Sequence, residues 1–311
     1  MPLPLLLLVA ALIQVRGQPM AGGQVSGSAD VPLERARDGD TPVLSLNSAA
    51  GPVRLLLDTG ASSSMVTPAL LARLGLASSA LAPSEFAMAG GGEGCQGLRP
   101  RRTRLPPLRL GARGREPGLV VEGLEALVLP AGALPQGIDG VLGAPTLRRT
   151  PVWIDPLADR VAFGAAALRA GGDGGGGLPL QRRRLPLRWH QGVPLITLQT
   201  PLGPLPALAD TGAEGLFLST GLAARLRALD APRPLQLVGF CGEQPVHMHR
   251  YGALALTPAA SPAGEGVVEA IVTANPIFAA LGVEAIVGQE LLRQRRQLWR
   301  LDQEPPRLEL R

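Results

Sequence analysis

The feature that most constrains this chain is an internal repeat. The tripeptide Asp-Thr-Gly occurs twice, as Leu57-Asp58-Thr59-Gly60-Ala61 and Ala209-Asp210-Thr211-Gly212-Ala213. Setting Asp58 on Asp210 pairs Pro42-Val43-Leu44-Ser45-Leu46 with Pro194-Leu195-Ile196-Thr197-Leu198 without a gap. In the other direction it pairs Ala69-Leu70-Leu71-Ala72-Arg73-Leu74 with Gly221-Leu222-Ala223-Ala224-Arg225-Leu226. One Asp-containing turn at a strand end is ordinary, because Asp bonds readily to nearby backbone. Two in register within a duplicated segment place two carboxylates at equivalent positions of two similar units.

Each unit opens with a strand, a Gly-Pro turn (Gly51-Pro52, Gly203-Pro204) and a second strand that ends at Asp-Thr-Gly. A short helix is expected after each motif, over 68–74 and 220–226. Each unit then closes alike: Ile138-Asp139-Gly140-Val141-Leu142-Gly143 answers Ala285-Ile286-Val287-Gly288, and both lead into strand-like ends. The repeat therefore has matching heads and tails around a divergent middle. The 40 Gly, 31 Pro and 3% aromatic residues agree with many short strands and turns. At 311 residues and 46% apolar the chain can build two cores.

A formal charge of +5 invites a nucleic-acid reading, and every basic residue is Arg. Almost no aromatics are interleaved with the Arg clusters for base stacking, so solvated loops and strand ends explain them and no nucleic-acid partner is expected. At the N-terminus, residues 3–13 form an apolar run too short to span a bilayer, followed by small-residue cleavage sites at Val15-Arg16-Gly17 and Gly27-Ser28-Ala29. This reads as an export signal to a periplasmic or secreted location. A retained membrane anchor is the alternative, since only the chain's own amino group precedes the run. The expected division is residues 1–29 as signal or anchor with spacer, 30–170 as one lobe, 171–187 as a Gly/Arg-rich linker and 188–311 as the second lobe.

With these elements in order, the chain resembles the pepsin/retropepsin superfamily of aspartic proteases, nearer the retropepsin-like type because both lobes are short and Ala follows each Asp-Thr-Gly. The resemblance implies an all-β fold of two pseudo-symmetric acid-protease β-barrel lobes with a cleft between them. It implies Asp58 and Asp210 as the catalytic pair, Thr59, Gly60, Thr211 and Gly212 as its support, and an endopeptidase acting on extended peptide or protein substrate. A monomer suffices, because one chain supplies both aspartates. No metal or organic cofactor is expected. The competing reading is a non-catalytic peptide-binding protein of the same fold.

The chemistry has its own logic. Two adjacent carboxylates cannot both ionise cheaply, so they share a proton. The ionised one serves as general base on a water and the protonated one donates to the scissile carbonyl oxygen. Ala61 and Ala213 stand where pepsin-like enzymes commonly carry Ser or Thr. Without a hydroxyl donor there, the pair is expected to work from weakly acidic toward neutral pH.

Flap hairpins over the cleft are expected around Gly90, Gly91 and Gly92 in the first lobe and around Gly239 and Phe240 in the second. The two cysteines, Cys95 and Cys241, fall in these segments, and a disulfide between lids is one arrangement; two free thiols is the other. His247 and His249 with Cys241 form too sparse a set for a metal site.

Overall fold

The structure is a computed structural model. It describes residues 12–15, 20–37, 39–82, 86–89, 99–111, 118–129, 134–172, 182–239, 242–256 and 266–311. The first part of the chain forms β1 (Leu12–Val15), β2 (Gly22–Gly27), β3 (Ala29–Pro32), β4 (Glu34–Arg35), β5 (Pro42–Ser48), β6 (Gly51–Leu57) and β7 (Met65–Val66). After α1 (Pro68–Leu74) come β8 (Ser79–Ala80), β9 (Phe86–Ala89), β10 (Arg101–Arg104), β11 (Leu108–Leu110), β12 (Leu119–Val128) and β13 (Gly140–Leu142). The unit ends with α2 (Ala144–Leu147), β14 (Val152–Asp155), β15 (Arg160–Phe163) and α3 (Ala165–Ala170). The second part forms β16 (Arg183–Pro186), β17 (Arg188–His190), β18 (Val193–Leu198), β19 (Leu205–Ala209), β20 (Leu216–Ser219) and α4 (Thr220–Arg225). It continues with β21 (Arg233–Gly239), β22 (Gly242–Tyr251), β23 (Val268–Thr273) and α5 (Ile277–Leu281). Last come β24 (Ala285–Val287), α6 (Gln289–Leu292), β25 (Gln297–Arg300) and β26 (Arg307–Leu310).

The fold is all-β with two pseudo-symmetric lobes, as the repeat implied. One sheet carries the order β5-β6-β13-β7-β12-β10 and the other β18-β19-β24-β20-β23-β22. These are the same path, strand for strand. The turn that joins the opening strands is built alike in both: Ser48 Oγ donates to Gly51 O at 2.8 Å, and Thr200 Oγ1 donates to Gly203 O at 2.7 Å. Gly51 and Gly203 take φ of 114° and 103°, backbone that a side chain strains. The expected helices after the motifs are present, and they are capped by Thr67 accepting from Leu70 N and Ser219 accepting from Leu222 N, each at 3.1 Å.

A third sheet joins the lobes. Its order, β16-β26-β25-β14-β15-β3, takes three strands from each unit and pairs β14 with β25 at the centre, Val152 opposite Trp299. Trp299 is fully buried there, and its Nε1 donates to Gln297 Oε1 at 2.9 Å. Apolar burial of this kind, rather than the exposed ion pairs, holds the lobes together.

Two stretches expected as spacer and linker contain strands. β2 pairs with β12 from Leu119↔Gly27 to Leu124↔Gly22, so the first lobe's sheet starts before residue 30. A Gly-rich strand shows no apolar alternation in sequence. Here the lack of side chains is the point, because a Cβ on Gly22 would lie 1.9 Å from Pro145 O. β16, within 171–187, pairs with β26. β1 pairs with β9 in antiparallel register, Leu12↔Ala89 to Val15↔Phe86. Among the described residues no helix is long and apolar enough to cross a membrane.

Candidate active site

Each aspartate is delivered by a hairpin and pinned by a returning strand. β5–β6 ends at Asp58 and β18–β19 at Asp210. β13 then runs parallel to β6 and antiparallel to β7, and β24 does the same between β19 and β20. The apolar pair before each closing glycine thus lies beside the motif, and its carbonyls fix the aspartates' backbone. Asp58 N donates to Leu142 O at 3.1 Å and Asp210 N to Val287 O at 2.9 Å. Gly143 and Gly288 follow where the chain passes hard against the motif loop. Added Cβ atoms would lie 2.8 Å from Ala61 O and 2.3 Å from Ala213 O.

The two motif loops interlock across the pseudo-twofold axis. Thr59 N donates to Thr211 Oγ1 and Thr211 N to Thr59 Oγ1, both at 3.0 Å. Each hydroxyl donates onward into the opposite lobe, Thr59 to Ala209 O at 2.8 Å and Thr211 to Leu57 O at 2.7 Å. Only a side chain with one donor and two acceptor sites on a single oxygen does both. The glycines complete the approach. A Cβ on Gly60 would sit 2.4 Å from Asp210 Cγ, and one on Gly212 would sit 2.4 Å from Asp58 Cγ. Each carboxylate therefore packs on the other lobe's glycine, which is how sequence positions 152 apart come to share one site.

Both aspartates are fully buried. Asp58 Oδ1 accepts from Ala61 N at 2.9 Å, and Asp210 Oδ1 accepts from Gly212 N at 2.8 Å. Neither Oδ2 receives a donor from the surrounding protein. Each carboxyl instead acts on the ionisation of the other. Burial pushes the Asp58 carboxyl up to about 6, against the lowering effect of its bond with Asp210 and of the backbone amides. Burial raises Asp210 well above the ordinary range too, and the Asp58 charge raises it further. With both carboxyls raised and each acting on the other, the pair titrates as one unit.

Thr59, Gly60, Thr211 and Gly212 are thus brought together with both aspartates. Gly239 ends β21 opposite Gly242, at the tip of the β21–β22 hairpin. Gly90, Gly91, Gly92, Cys95, Phe240 and Cys241 lie outside the described residues.

Three residues around the pair were not singled out from sequence. Ser64 Oγ accepts from Gly143 N at 3.0 Å, Gln289 Nε2 donates to Thr211 O at 2.7 Å, and Glu214 Oε2 accepts from Asp40 N at 2.7 Å. Their one sequence signal is place: Gln289 follows the closing glycine, and Ser64 and Glu214 follow the motifs.

Residues 44–146 match the family described as Aspartyl protease. No curated protein matches the chain. Among solved structures it is similar to conglutin gamma, a basic 7S globulin from lupine seeds, at 12% identity and TM-score 0.51, covering 91% of this chain and 94% of that one. Basic 7S globulin from soybean aligns over the same shares at 11% identity and TM-score 0.49. Residues 44–146 thus carry sequence similar to the aspartyl protease family, and the fold over both lobes is that of the acid proteases.

Proposed function

We propose that this protein is an aspartic endopeptidase that hydrolyses peptide bonds with a water activated between Asp58 and Asp210. The observation that carries the reading is the crossed arrangement of the two motifs. Each buried carboxyl rests on the opposite lobe's glycine, and the threonine hydroxyls lock the loops reciprocally. A fold does not need two buried carboxyls facing each other, and their mutual repulsion costs stability. Their retention is accounted for by chemistry.

With one proton on the pair, ionised Asp58 takes a proton from water while Asp210 donates its own to the carbonyl oxygen of the scissile bond. Hydroxide adds to the carbonyl carbon to give a tetrahedral diol. The proton gained by Asp58 then passes to the leaving nitrogen as the C–N bond breaks, and a diol hydroxyl returns a proton to Asp210. Acid and base both come from the pair, so the proposed reaction draws on no metal or organic cofactor. Because both carboxyls are buried, a peptide reaches them only when the cleft opens. The raised Asp58 supports activity from weakly acidic toward neutral pH rather than near pH 2.

We further propose that the protein is exported and acts as a monomer; microscopy and fractionation of a tagged full chain, with sedimentation of the purified protein, test both. The test of function is cleavage of a mixed peptide library between pH 3 and 8 by the wild type and by Asp58→Ala and Asp210→Ala. The expected result is loss of ~10⁴-fold or more in kcat for each single variant, because the pair acts as a unit. Tight peptide binding by a folded wild type that cleaves nothing would replace this reading with the peptide-binding one.

A further inference from the structure

We propose that Glu214 is a positioning residue: through residues 39–41 it latches the Asp210 loop to the strand pair that carries Asp58. Glu214 lies four positions after Asp210, just past the motif. Its Oε2 accepts from Asp40 N at 2.7 Å, and its Oε1 accepts from Thr41 N at 2.8 Å and from the Thr41 hydroxyl. Three donors from the first lobe therefore converge on one second-lobe carboxylate, and hydrogen bonds to a charged group are the stronger kind. Thr41 is buried, and its Oγ1 also sits 3.4 Å from Gly212 O. The approach needs a glycine before it, since a Cβ on Gly39 would lie 2.3 Å from Glu214 Oε1.

The latch extends on both sides. Thr41 runs directly into β5, which leads through the hairpin to Asp58. Asp40 Oδ2 pairs with Arg293 Nη1 at 2.9 Å, and Arg293 follows α6. That helix begins at Gln289, whose N donates to Ala213 O and whose side chain donates to Thr211 O. The loop bearing Asp210 is thus held from the first lobe at Glu214 and from its own lobe at Gln289. In the first lobe the repeat puts Ser62 at the Glu214 position, 3.7 Å from where a Cβ on Gly192 would be. A serine cannot accept from two backbone amides in this bidentate way, so this carboxylate latch is one-sided. Reactions of this kind are sensitive to misplacement, and about 1 Å of displacement costs ~100-fold.

The kinetic arm of the test rests on the peptidase reading; a second arm does not. Glu214→Ala, Glu214→Gln and Thr41→Val are made in the full chain and assayed on a cleaved peptide. Glu214→Ala is expected to lower kcat about 100-fold with KM held within about twofold. Gln keeps one acceptor but turns an NH2 toward the Asp40 amide, so it is expected to fall in between. Thr41→Val, which removes one bond and keeps the shape, is expected to fall least. The two limbs of the kcat pH profile should move toward each other as the carboxyls separate. A lowered melting temperature with kcat and both limbs unchanged would overturn the proposal, and so would a rise in KM alone. If Glu214→Ala does not fold, Glu214→Gln and Thr41→Val decide by the same criteria. Should the wild type cleave nothing, amide hydrogen exchange replaces kinetics. Loss of the latch is then expected to speed exchange at least tenfold at Asp40 and Thr41 and also at Gly212 and Ala213. Acceleration at 40–41 alone would show that the contact ties down the segment without positioning the loop.

Discussion

The two lobes agree closely where they meet at the aspartates and part company a few residues away. At the axis the correspondence is nearly atomic: equal threonine bonds at 3.0 Å and equal glycine-to-carboxyl approaches at 2.4 Å. One shell out, the first lobe sets Ser64 on Gly143, whereas the second sets Gln289 on Thr211 and Glu214 on the segment before β5. The arginines beyond the closing helices differ as well. Arg148 lies over the Trp189 ring, 4.9 Å from its centre, and Arg293 pairs with Asp40. The lesson is that symmetry is kept where two carboxyls must share a proton. It is broken among the residues that hold each motif loop from outside the axis.

The sharpest way to break the symmetric part is to add one methyl group on the axis. Gly60→Ala and Gly212→Ala each force a Cβ into the opposite carboxyl. Both are expected to lose about 3 kcal/mol or more, since neighbours this well fixed cannot give way. Denaturant unfolding of the two variants should give matching losses; a large inequality would mean that one loop yields and the grip is not symmetric.

Ionisation of the pair comes next. The folded Asp58 carboxyl sits near 6 against an ordinary 3.8, so between those values the folded state binds more protons than the unfolded. Stability contributed by the protonated pair is therefore full below about pH 4 and is lost as pH rises through 6. Roughly two units at ~1.4 kcal/mol each give a loss of about 3 kcal/mol from Asp58. Urea titrations at pH 4 and 7 should show it, and Asp210→Asn should remove only the further loss from the second raised carboxyl, leaving the Asp58 part, which burial causes. Stability that rises between pH 4 and 7 would contradict the raised values.

Thr59→Val and Thr211→Val probe the grip itself. Each keeps the side-chain shape but leaves a buried amide and a buried carbonyl unpaired in the other lobe, at a cost of about 2 kcal/mol. The double variant should cost less than the sum, because the two hydroxyls serve one network. Full additivity in a double-mutant cycle would show that the bonds act separately.

The smallest effect is expected at the arginines. Arg148→Met removes a ring contact and Arg293→Met a pair that is about half exposed, each changing stability by ~0.5–1 kcal/mol. Salt distinguishes them: 0.5 M NaCl should weaken the Arg293 contribution and leave that of Arg148 nearly unchanged.

Much of this was legible in the chain. The repeat marked both aspartates, the hairpins that deliver them and the helices that follow, because each depends on local turn chemistry and short apolar strands. Thr59, Gly60, Thr211 and Gly212 were also readable, since the motif itself carries them. β2 and β16 were not. The first is rich in glycine and the second in arginine, and neither shows the alternation by which a strand is recognised. Glu214, Gln289 and Ser64 were missed for a different reason: each is a common polar residue whose partner lies on another part of the chain, 174, 78 and 79 positions away.

By itself, then, the sequence determined that two equivalent lobes exist and that each ends a strand on a carboxylate, because turns, caps and strand pairs are set by neighbours along the chain. Only the tertiary structure decided that the carboxylates face each other, bury completely and titrate together. Those properties come from the contact of two loops 152 residues apart, where low dielectric and mutual charge act across a distance that no local pattern encodes.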